Sequence, residues 1–313
     1  MTQQKIEEPG RCLKKRRAGR RIATVAAGVF VVIAVLALGM LAYNNVSLSS
    51  DKAFAKKIDG AIEKGIGWTK AKKGTILETP NTALIKMLKE ADNIRQVTLF
   101  ADIVNEFMSM PTRPKCWKRL LDPNWPVDDI ELNITIEKEY LDNKWVLYAI
   151  APDKAKVNPN GLGLFERDKW QRRKLTHQLD ALLQLRKTMG SNNELDGLIR
   201  YLCERLSRQM VFDFAVVDIY IQKVTFILRA GFPQLVRRRW VERIVANQQA
   251  DGGWNDRWFC FTSDTKRPVF DSRGQSSNQH ATLQALTALY MVRYGCPEHF
   301  RIEAAPKPAA SMN

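Results

Sequence analysis

A continuous apolar stretch is the first feature of the hydrophobic pattern. Residues 22–43 (IATVAAGVFVVIAVLALGMLAY) include no charged side chain. At a rise of ~1.5 Å per residue, a helix of this length spans about 33 Å, enough to cross a hydrocarbon core of ~30 Å. The apolar part of a cleaved signal peptide normally runs for only ~7–15 residues, and no convincing small-residue cleavage site follows here. The pattern therefore predicts an uncleaved transmembrane helix at 22–43, with the lipid bilayer as its partner.

After a polar linker at 44–50, apolar side chains recur at helical spacing through most of a domain that we place at 51–303. Thr79 and Pro80 are typical of an N-cap and a first helical residue. Further helices are predicted near 167–189, 194–209, 211–230, 233–248 and 278–294, with C-terminal caps at Gly190, Gly231 and Gly295. The fold class is therefore mainly α.

Residues 115–165 interrupt this pattern. Prolines punctuate the segment, ELNITIEKEY alternates apolar and polar side chains, and Asp142-Asn143 offers a turn before KWVLYAIAP. We predict a small β-hairpin insertion here. The Pro- and Ala-rich residues 304–313 are expected to be a disordered tail.

Charge sets the predicted orientation. The chain has 49 Lys+Arg against 33 Asp+Glu, and its 26% charged residues exclude a wholly disordered or collagen-like chain. Residues 1–21 carry eight basic and two acidic side chains, +6 of the net +16, which leaves +10 for the rest. The positive-inside rule then keeps 1–21 in the cytoplasm and places the domain outside, in the periplasm if the cell is bacterial.

The positive charge of the outer domain has two interpretations. It could attract anionic lipid headgroups or acidic glycans, or it could be an ordinary solvated surface. Nucleic acid is not an expected partner, since no nucleic-acid-binding motif is recognisable. Cys116, Cys203, Cys260 and Cys296 would lie in the outer domain as buried thiols or as disulfides, with Cys260–Cys296 the first pair to test.

The most specific pattern is RRRWVERIVANQQADGGW at 237–254. A basic residue, an aromatic residue, aliphatic residues, a glutamine and a Gly-x-Trp turn follow in order, at Arg239, Trp240, Ile244, Val245, Gln248, Gly252 and Trp254. The pattern resembles the QW repeat of terpenoid cyclases and related α/α-toroid proteins. The resemblance implies a partial α/α toroid of helical hairpins over about 166–295, with the motif joining helices rather than performing chemistry.

The acid motifs of the enzymes in that superfamily are missing. No DxDD, DCTAE or DDxxD sequence is present, and the GCGEQ thioester of complement-like toroids is absent as well. Asp256, Cys260 and His280 are zinc-ligand types, but their spacing differs from that of protein prenyltransferases. We therefore expect no metal site and no cofactor.

An internal repeat supplies the candidate site. His177 and His280 each open a helix that runs through Ala-Leu to a glycine, and in a toroid such helices start at one central cavity. Asp180 follows His177 by three residues on the same helical face. His177, Asp180 and His280 could therefore perform acid–base catalysis on a glycan or ester, or could only cap helices. Candidate ligand-binding residues are Asp218, Gln222, Trp254, Asn255, Asp256 and Trp258.

Two classes of function stay open. The first is a binding or scaffolding module of the cell envelope, with a glycan or an envelope protein as ligand. The second is a glycan lyase or hydrolase, or an isoprenoid-modifying enzyme, that uses the His/Asp site. A cavity lined by acidic and histidine side chains would favour the enzyme, and a filled apolar centre would favour the scaffold.

Overall fold

The computed structural model is mainly helical and describes residues 9–47, 49–79, 81–111, 115–138, 141–152, 154, 172–214, 216–255, 260–261, 268–269 and 277–303. It divides into two compact units, Met1–Val46 and Ser47–Asn313. The α-helices are α1 (Pro9–Asn45), α2 (Asp51–Ala71), α3 (Lys73–Glu78), α4 (Thr82–Arg95), α5 (Ala101–Ser109), α6 (Lys115–Lys118), α7 (Asp129–Lys138), α8 (Leu141–Ile150), α9 (Arg172–Met189), α10 (Asn193–Met210), α11 (Asp218–Arg229), α12 (Arg238–Ala246) and α13 (Gln279–Tyr290).

The first unit contains α1. Its segment Ala26–Asn45 has a mean hydropathy of 2.5 and is long and apolar enough to cross a membrane. Large apolar side chains such as Phe30 and Leu38 are exposed on its surface. A helix satisfies its own backbone hydrogen bonds, so such a surface suits a hydrocarbon environment. The predicted apolar helix is confirmed as an element that ends at Asn45.

Helix α13 lies at the centre of the second unit. Every residue from Ala281 to Tyr290 is buried, and the helix packs against α2, α4 and α11. Helix α9 packs against α8, α10 and α11. A helix that is apolar or buried on all sides belongs in a core. The neighbours of α13 therefore present their inner faces to a shared interior.

The helix ends test the cap predictions. Gly190 and Gly231 both adopt a φ of +87°, the left-handed conformation that follows many helices, so these two caps are confirmed. Gly295 instead ends a π-helical turn, Met291–Gly295. The N-cap prediction at Thr79 is wrong. Asn81 caps α4, because its side-chain oxygen accepts a hydrogen bond from the backbone N–H of Ala83 at 3.1 Å.

The predicted β-hairpin insertion at 115–165 is wrong wherever the structure describes that segment, which instead forms α6, α7 and α8. The carboxylate of Asp128 accepts hydrogen bonds from the backbone N–H groups of Ile130 at 2.8 Å and Glu131 at 3.0 Å, and so starts α7. Leu132 and Ile136 are four residues apart and both buried. The apparent alternation of period two was therefore one face of a helix.

Two short strands occur elsewhere in the described residues. Cys260–Phe261 pairs antiparallel with Pro268–Val269, in the segment between α12 and α13. Residues 155–165 of the expected insertion and the expected tail at 304–313 lie outside the described residues.

The start of the second unit is tied to α12. The hydroxyl groups of Ser47 and Ser49 both donate hydrogen bonds to the carboxylate of Glu242. Arg238 donates to the backbone carbonyl of Ser50 at 2.7 Å and forms an ion pair with Asp51. The part of the predicted linker that belongs to this unit is therefore held against the helical domain.

Candidate ligand-binding site

A pocket of about 330 Å³ lies where the N-terminal halves of α4, α9, α11 and α13 meet. We call it the polar pocket. Its wall includes His177, Asp180, Gln222, His280 and Gln284 from α9, α11 and α13. Leu84, Met87 and Phe226 supply apolar surface. A concave site of this volume with a few polar groups on an apolar wall is typical of small-molecule binding.

A second pocket of about 370 Å³, which we call the basic pocket, is lined by the C-terminal parts of α4, α9 and α11, by Met291 after α13 and by Lys86 from the second turn of α4. Its lining comprises Lys86, Glu90, Asn93, Ile94, Leu183, Gln184, Arg186, Lys187, Arg229 and Met291. Apart from Lys86, the residues of α4, α9 and α11 that line the basic pocket come later in each helix than those that line the polar pocket. These helices therefore run in the same direction through the core.

Both histidines of the internal repeat line the polar pocket. His280 is the second residue of α13, just after the N-cap Asn278. Helix α9 begins at Arg172, so His177 lies in its second turn and does not cap it. Two residues about a hundred positions apart in the sequence therefore line one concavity.

The carboxylate partner of His280 is Asp218. The distance from His280 Nδ1 to Asp218 Oδ1 is 2.7 Å, and the pair joins the first turns of α11 and α13. Because an ionised carboxylate can only accept, Nδ1 carries the proton in this bond. The contact fixes the orientation and tautomer of the ring, as in acid–base sites. The sequence pattern singled out Asp218 but did not reveal this partner.

Asp180 lies next to two basic side chains. Its Oδ1 accepts a hydrogen bond from Arg229 Nη1 at 2.8 Å and lies 3.9 Å from Lys86 Nζ, in a side chain that is 7% exposed. Burial alone would raise the pKa of Asp180, but the positive charges of Arg229 and Lys86 hold this pKa below its usual value. No hydrogen bond joins Asp180 to His177 in the described part of the chain. His177 acts on Asp180 only through its charge, as a smaller contribution that also lowers the pKa of this carboxyl, so the predicted pairing of the two side chains stays a prediction.

Glu90 completes this buried charge cluster. Arg229 Nε lies 2.8 Å from Glu90 Oε2, and Lys86 Nζ lies 3.4 Å from Glu90 Oε1. The four side chains Lys86, Glu90, Asp180 and Arg229 carry two positive and two negative charges and separate the two pockets. We refer to them below as the ion cluster.

Two glutamines give the polar pocket its hydrogen-bonding character. Gln222 Oε1 accepts a hydrogen bond from the hydroxyl of Thr176. Gln284 is 1% exposed, and its Nε2 lies 3.1 Å from Nε2 of His280 and 3.4 Å from Nδ1. Its Oε1 is buried and has no hydrogen-bond partner among the described residues. Eight other buried side-chain atoms of the described residues also lack a hydrogen-bond partner, but of these nine atoms only Gln284 Oε1 belongs to a residue on the wall of the polar pocket.

Sequence reasoning missed other residues on the wall. Asn81, Trp117 and Asn143 also line the polar pocket. Asn81 follows Pro80 and could have been identified as the better N-cap. Trp117 and Asn143 come from the segment for which the sequence pattern predicts a β-hairpin, so the pattern does not place them beside α9 and α13.

The turn after α12 is structural. Trp254 is 1% exposed, and its indole Nε1 donates to the carbonyl of Ile244 at 2.7 Å. Gln248 Nε2 donates to the carbonyls of Gly252 and Ala61, both at 2.8 Å. Gly252 has a φ of +91°, and a Cβ there would lie 2.6 Å from the carbonyl oxygen of Lys64. The turn therefore joins α12 to α2.

This geometry corrects the ligand-binding prediction for Trp254, which is enclosed in the core and does not line the polar pocket. Trp240 is also buried, and Arg239 forms an ion pair with Glu242. Asn255 is buried beside Trp254. Asp256 and Trp258 lie outside the described residues.

The cysteines do not form the suggested bridge at Cys296. Cys116, Cys203 and Cys296 are free thiols, and Cys296 Sγ lies 3.3 Å from the carbonyl oxygen of Met291. The side chain of Cys260 lies outside the described residues. Within the described part of the chain, no group of three or more His, Cys, Asp or Glu side chains is placed to hold a metal ion.

Comparison of the chain with protein-family models, with curated proteins and with solved structures finds no match.

Proposed function

We propose that this chain is a single-pass membrane protein whose extracytoplasmic helical domain binds a hydroxyl-rich ligand, such as a saccharide unit of an envelope glycan, in the polar pocket. The observation that carries the proposal is the buried, unpartnered Oε1 of Gln284 on the pocket wall. An acceptor needs a donor, and a sugar hydroxyl can donate to it while accepting from a neighbouring group.

The rest of the wall suits the same ligand. His177 and Gln222 add groups that can donate and accept, while Phe226 and Met87 offer apolar surface to the C–H face of a sugar ring. Trp117 is half-buried on the wall and provides an aromatic surface for such a face. The pocket also makes ligand binding a better proposal than a scaffold with a filled apolar centre.

The α/α-toroid arrangement belongs to this proposal. Two observations support the toroid arrangement. The first is that α4, α9 and α11 run in the same direction, with their N-terminal ends at one pocket. The hydrogen-bonded turn at Gln248 and Trp254 supports it as well, since the resembling motif joins helices in that superfamily.

Membrane orientation has a direct test. The eight basic residues before Ile22 favour a cytoplasmic N-terminus. A phosphatase reporter fused after Asn313, which is active only outside the cytoplasm, should then be active. Activity of a cytoplasm-dependent reporter at the same position would contradict the orientation.

Ligand binding is tested with the full-length protein in detergent micelles on an array of envelope and plant saccharides, followed by titration calorimetry with any hit. We expect Gln284→Leu to weaken binding about tenfold, because it removes one hydrogen bond from a buried site. Gln209→Leu is the matched control, since Gln209 also has a buried Oε1 without a partner but lies away from this pocket. Absence of any saccharide ligand, or equal losses in the two variants, would refute the proposal.

The Asp218–His280 pair supports a second candidate function, that of a glycan lyase or hydrolase. A histidine oriented by a carboxylate in a pocket has the arrangement of a general base. An enzyme of this type should lose turnover in Asp218→Asn while the affinity for the saccharide stays within a few fold. Release of reducing or unsaturated ends from a bound glycan measures this. A wild-type protein that binds without turnover would leave binding alone as the function.

A further inference from the structure

The basic pocket is a second concavity that saccharide binding does not use. Four of its lining side chains are cationic, Lys86, Arg186, Lys187 and Arg229, and only Glu90 is anionic. Arg186, Lys187 and Arg229 lie in the last turns of α9 and α11, where a cation is favoured by the helix macrodipole. Their positions therefore have a structural explanation that does not need a ligand.

Lys86 does not share that explanation. It lies in the second turn of α4, far from the C-terminus of that helix, and its side chain is 5% exposed. Its nearest carboxylate oxygens are 3.4 Å away on Glu90 and 3.9 Å away on Asp180, both beyond an ordinary N–H···O hydrogen bond. An ammonium group has three donors, and these two long ion pairs leave it able to donate a shorter hydrogen bond to a further acceptor.

The charges around Lys86 balance except for that of Lys187, since Arg186 forms an ion pair with Asp196 at 3.5 Å. Two carboxylates, Glu90 and Asp180, balance Lys86 and Arg229 within the ion cluster. Lys187 adds a further charge at the exposed rim of the pocket. Burial, followed by the charge of Arg229, lowers the pKa of Lys86 to about 8, with Lys187 contributing in the same direction and Glu90 and Asp180 opposing.

We propose that the basic pocket binds a small ligand that carries an oxyanion, a phosphate or a carboxylate, with the oxyanion accepting hydrogen bonds from Lys86 and Lys187. The apolar part of this ligand lies against Ile94, Leu183 and Met291. An oxyanion supplies a closer acceptor for the Lys86 ammonium and offsets the charge of Lys187, which the ion cluster does not balance. A pocket of about 370 Å³ accommodates a phosphorylated or carboxylated ring.

The test uses the full-length protein in dodecyl maltoside micelles and titration calorimetry. Phenyl phosphate and benzoate are the oxyanion probes, benzyl alcohol is the uncharged probe, and dihexanoyl phosphatidylglycerol asks whether a lipid headgroup presents the same group. We expect saturable binding of at least one anionic probe and none of benzyl alcohol. The probe that binds identifies the source of the oxyanion.

Two variants connect binding to the pocket. Lys187→Gln changes an exposed residue and should weaken binding of the anionic probe about tenfold, as loss of a charge-assisted hydrogen bond does. Lys86→Gln should weaken it at least as much. Arg208→Gln is the matched control, because Arg208 is exposed and its ion pair with Glu204 is elsewhere on α10. Gln284→Leu should leave this affinity unchanged, which separates the two pockets.

Proton uptake provides a readout that does not depend on the folding of a variant. At pH 8, near the pKa of Lys86, a bound oxyanion should favour protonation of the neutral Lys86 amine to the ammonium form. The buffer supplies that proton, so the binding enthalpy should differ between Tris and HEPES in line with their ionisation enthalpies. Three outcomes would each overturn the proposal: no binding of any anionic probe, equal binding of benzyl alcohol, or identical affinities in wild type, Lys187→Gln and Arg208→Gln.

Discussion

Substitution of Asp180 by Asn separates a structural role from a catalytic one. The carboxylate accepts a hydrogen bond from Arg229 at 2.8 Å inside the ion cluster. Asn has the same shape but no charge, so Arg229 and Lys86 would be left with Glu90 as their single anionic partner. The change therefore perturbs charge balance and leaves packing nearly intact.

The size of the effect follows from burial. Removing one partner of a buried ion pair costs about 3–5 kcal/mol, and we expect the lower end because Glu90 still contacts Arg229. For a domain of this size, a loss of about 3 kcal/mol lowers the melting temperature by roughly 6–12 °C. Because the pKa of Asp180 is lowered in the folded state, this stabilisation is present above the unfolded pKa of about 3.9 and is lost as the pH falls below it.

Thermal unfolding in detergent micelles measures the change in melting temperature and its pH dependence. Tryptophan fluorescence follows the unfolding at pH 7 and at several pH values down to 3. Asp102→Asn is the matched control, since Asp102 forms an ion pair with Lys73 but is 63% exposed, and it should cost at most about 1 kcal/mol. The difference between wild type and Asp180→Asn should shrink as the pH falls. An unchanged melting temperature in Asp180→Asn, combined with loss of ligand binding or turnover, would refute the structural role.

Three further predictions concern other parts of the second unit. Gly252→Ala should destabilise the domain by about 1–3 kcal/mol because of its positive φ and the nearby Lys64 carbonyl. Gly67→Ala, at an exposed position within α2, should instead stabilise the domain by up to about 1 kcal/mol. Thermal unfolding of both variants checks this, and equal changes in melting temperature would contradict it. Between pH 8 and 10.5 the unfolding free energy of the wild type should rise relative to that of Lys86→Met, because Lys86 is protonated in the unfolded chain and deprotonated in the folded one. Denaturant unfolding at several pH values measures this. A difference between the two proteins that does not change with pH would contradict it. Burial raises the pKa of Cys203 to about 12, so iodoacetamide at pH 8 should label this thiol only after unfolding. Mass spectrometry measures the labelling. Rapid labelling of the folded protein would contradict this prediction.

The helical half of the fold was predictable because its signals are local. A period of 3.6 residues identified the helices now seen as α9 to α13, and Gly190 and Gly231 marked two of their ends correctly. The error at α7 was also local. Alternating residues in ELNITIEK satisfy a strand pattern, but Leu132 and Ile136 satisfy a helix as well, and Asp128 supplied a cap that a strand would not use.

The candidate site was less predictable because its partnerships cross between helices. The repeat singled out His177 and His280, and the two side chains line one pocket. Spacing along one helix suggested Asp180 as a partner for His177, yet Asp180 binds Arg229, 49 residues further along the chain. The partner of a buried carboxylate depends on which helices face each other and on how buried charges balance. The helical period of the sequence indicates neither.

The hydrogen bond from Gln248 to Ala61 has a consequence for biosynthesis. The two residues are 187 positions apart, and Arg293 reaches back even further to Asp59 at 2.6 Å. At a synthesis rate of ~5–20 residues per second, roughly 10–40 s pass between the appearance of Ala61 and of Gln248. Throughout that interval, the face of α2 that packs against α12 is not covered by that helix. A chain that stops before Gln279 also lacks α13, a further helix that packs against α2, so truncated products should be captured by chaperones or degraded rather than fold.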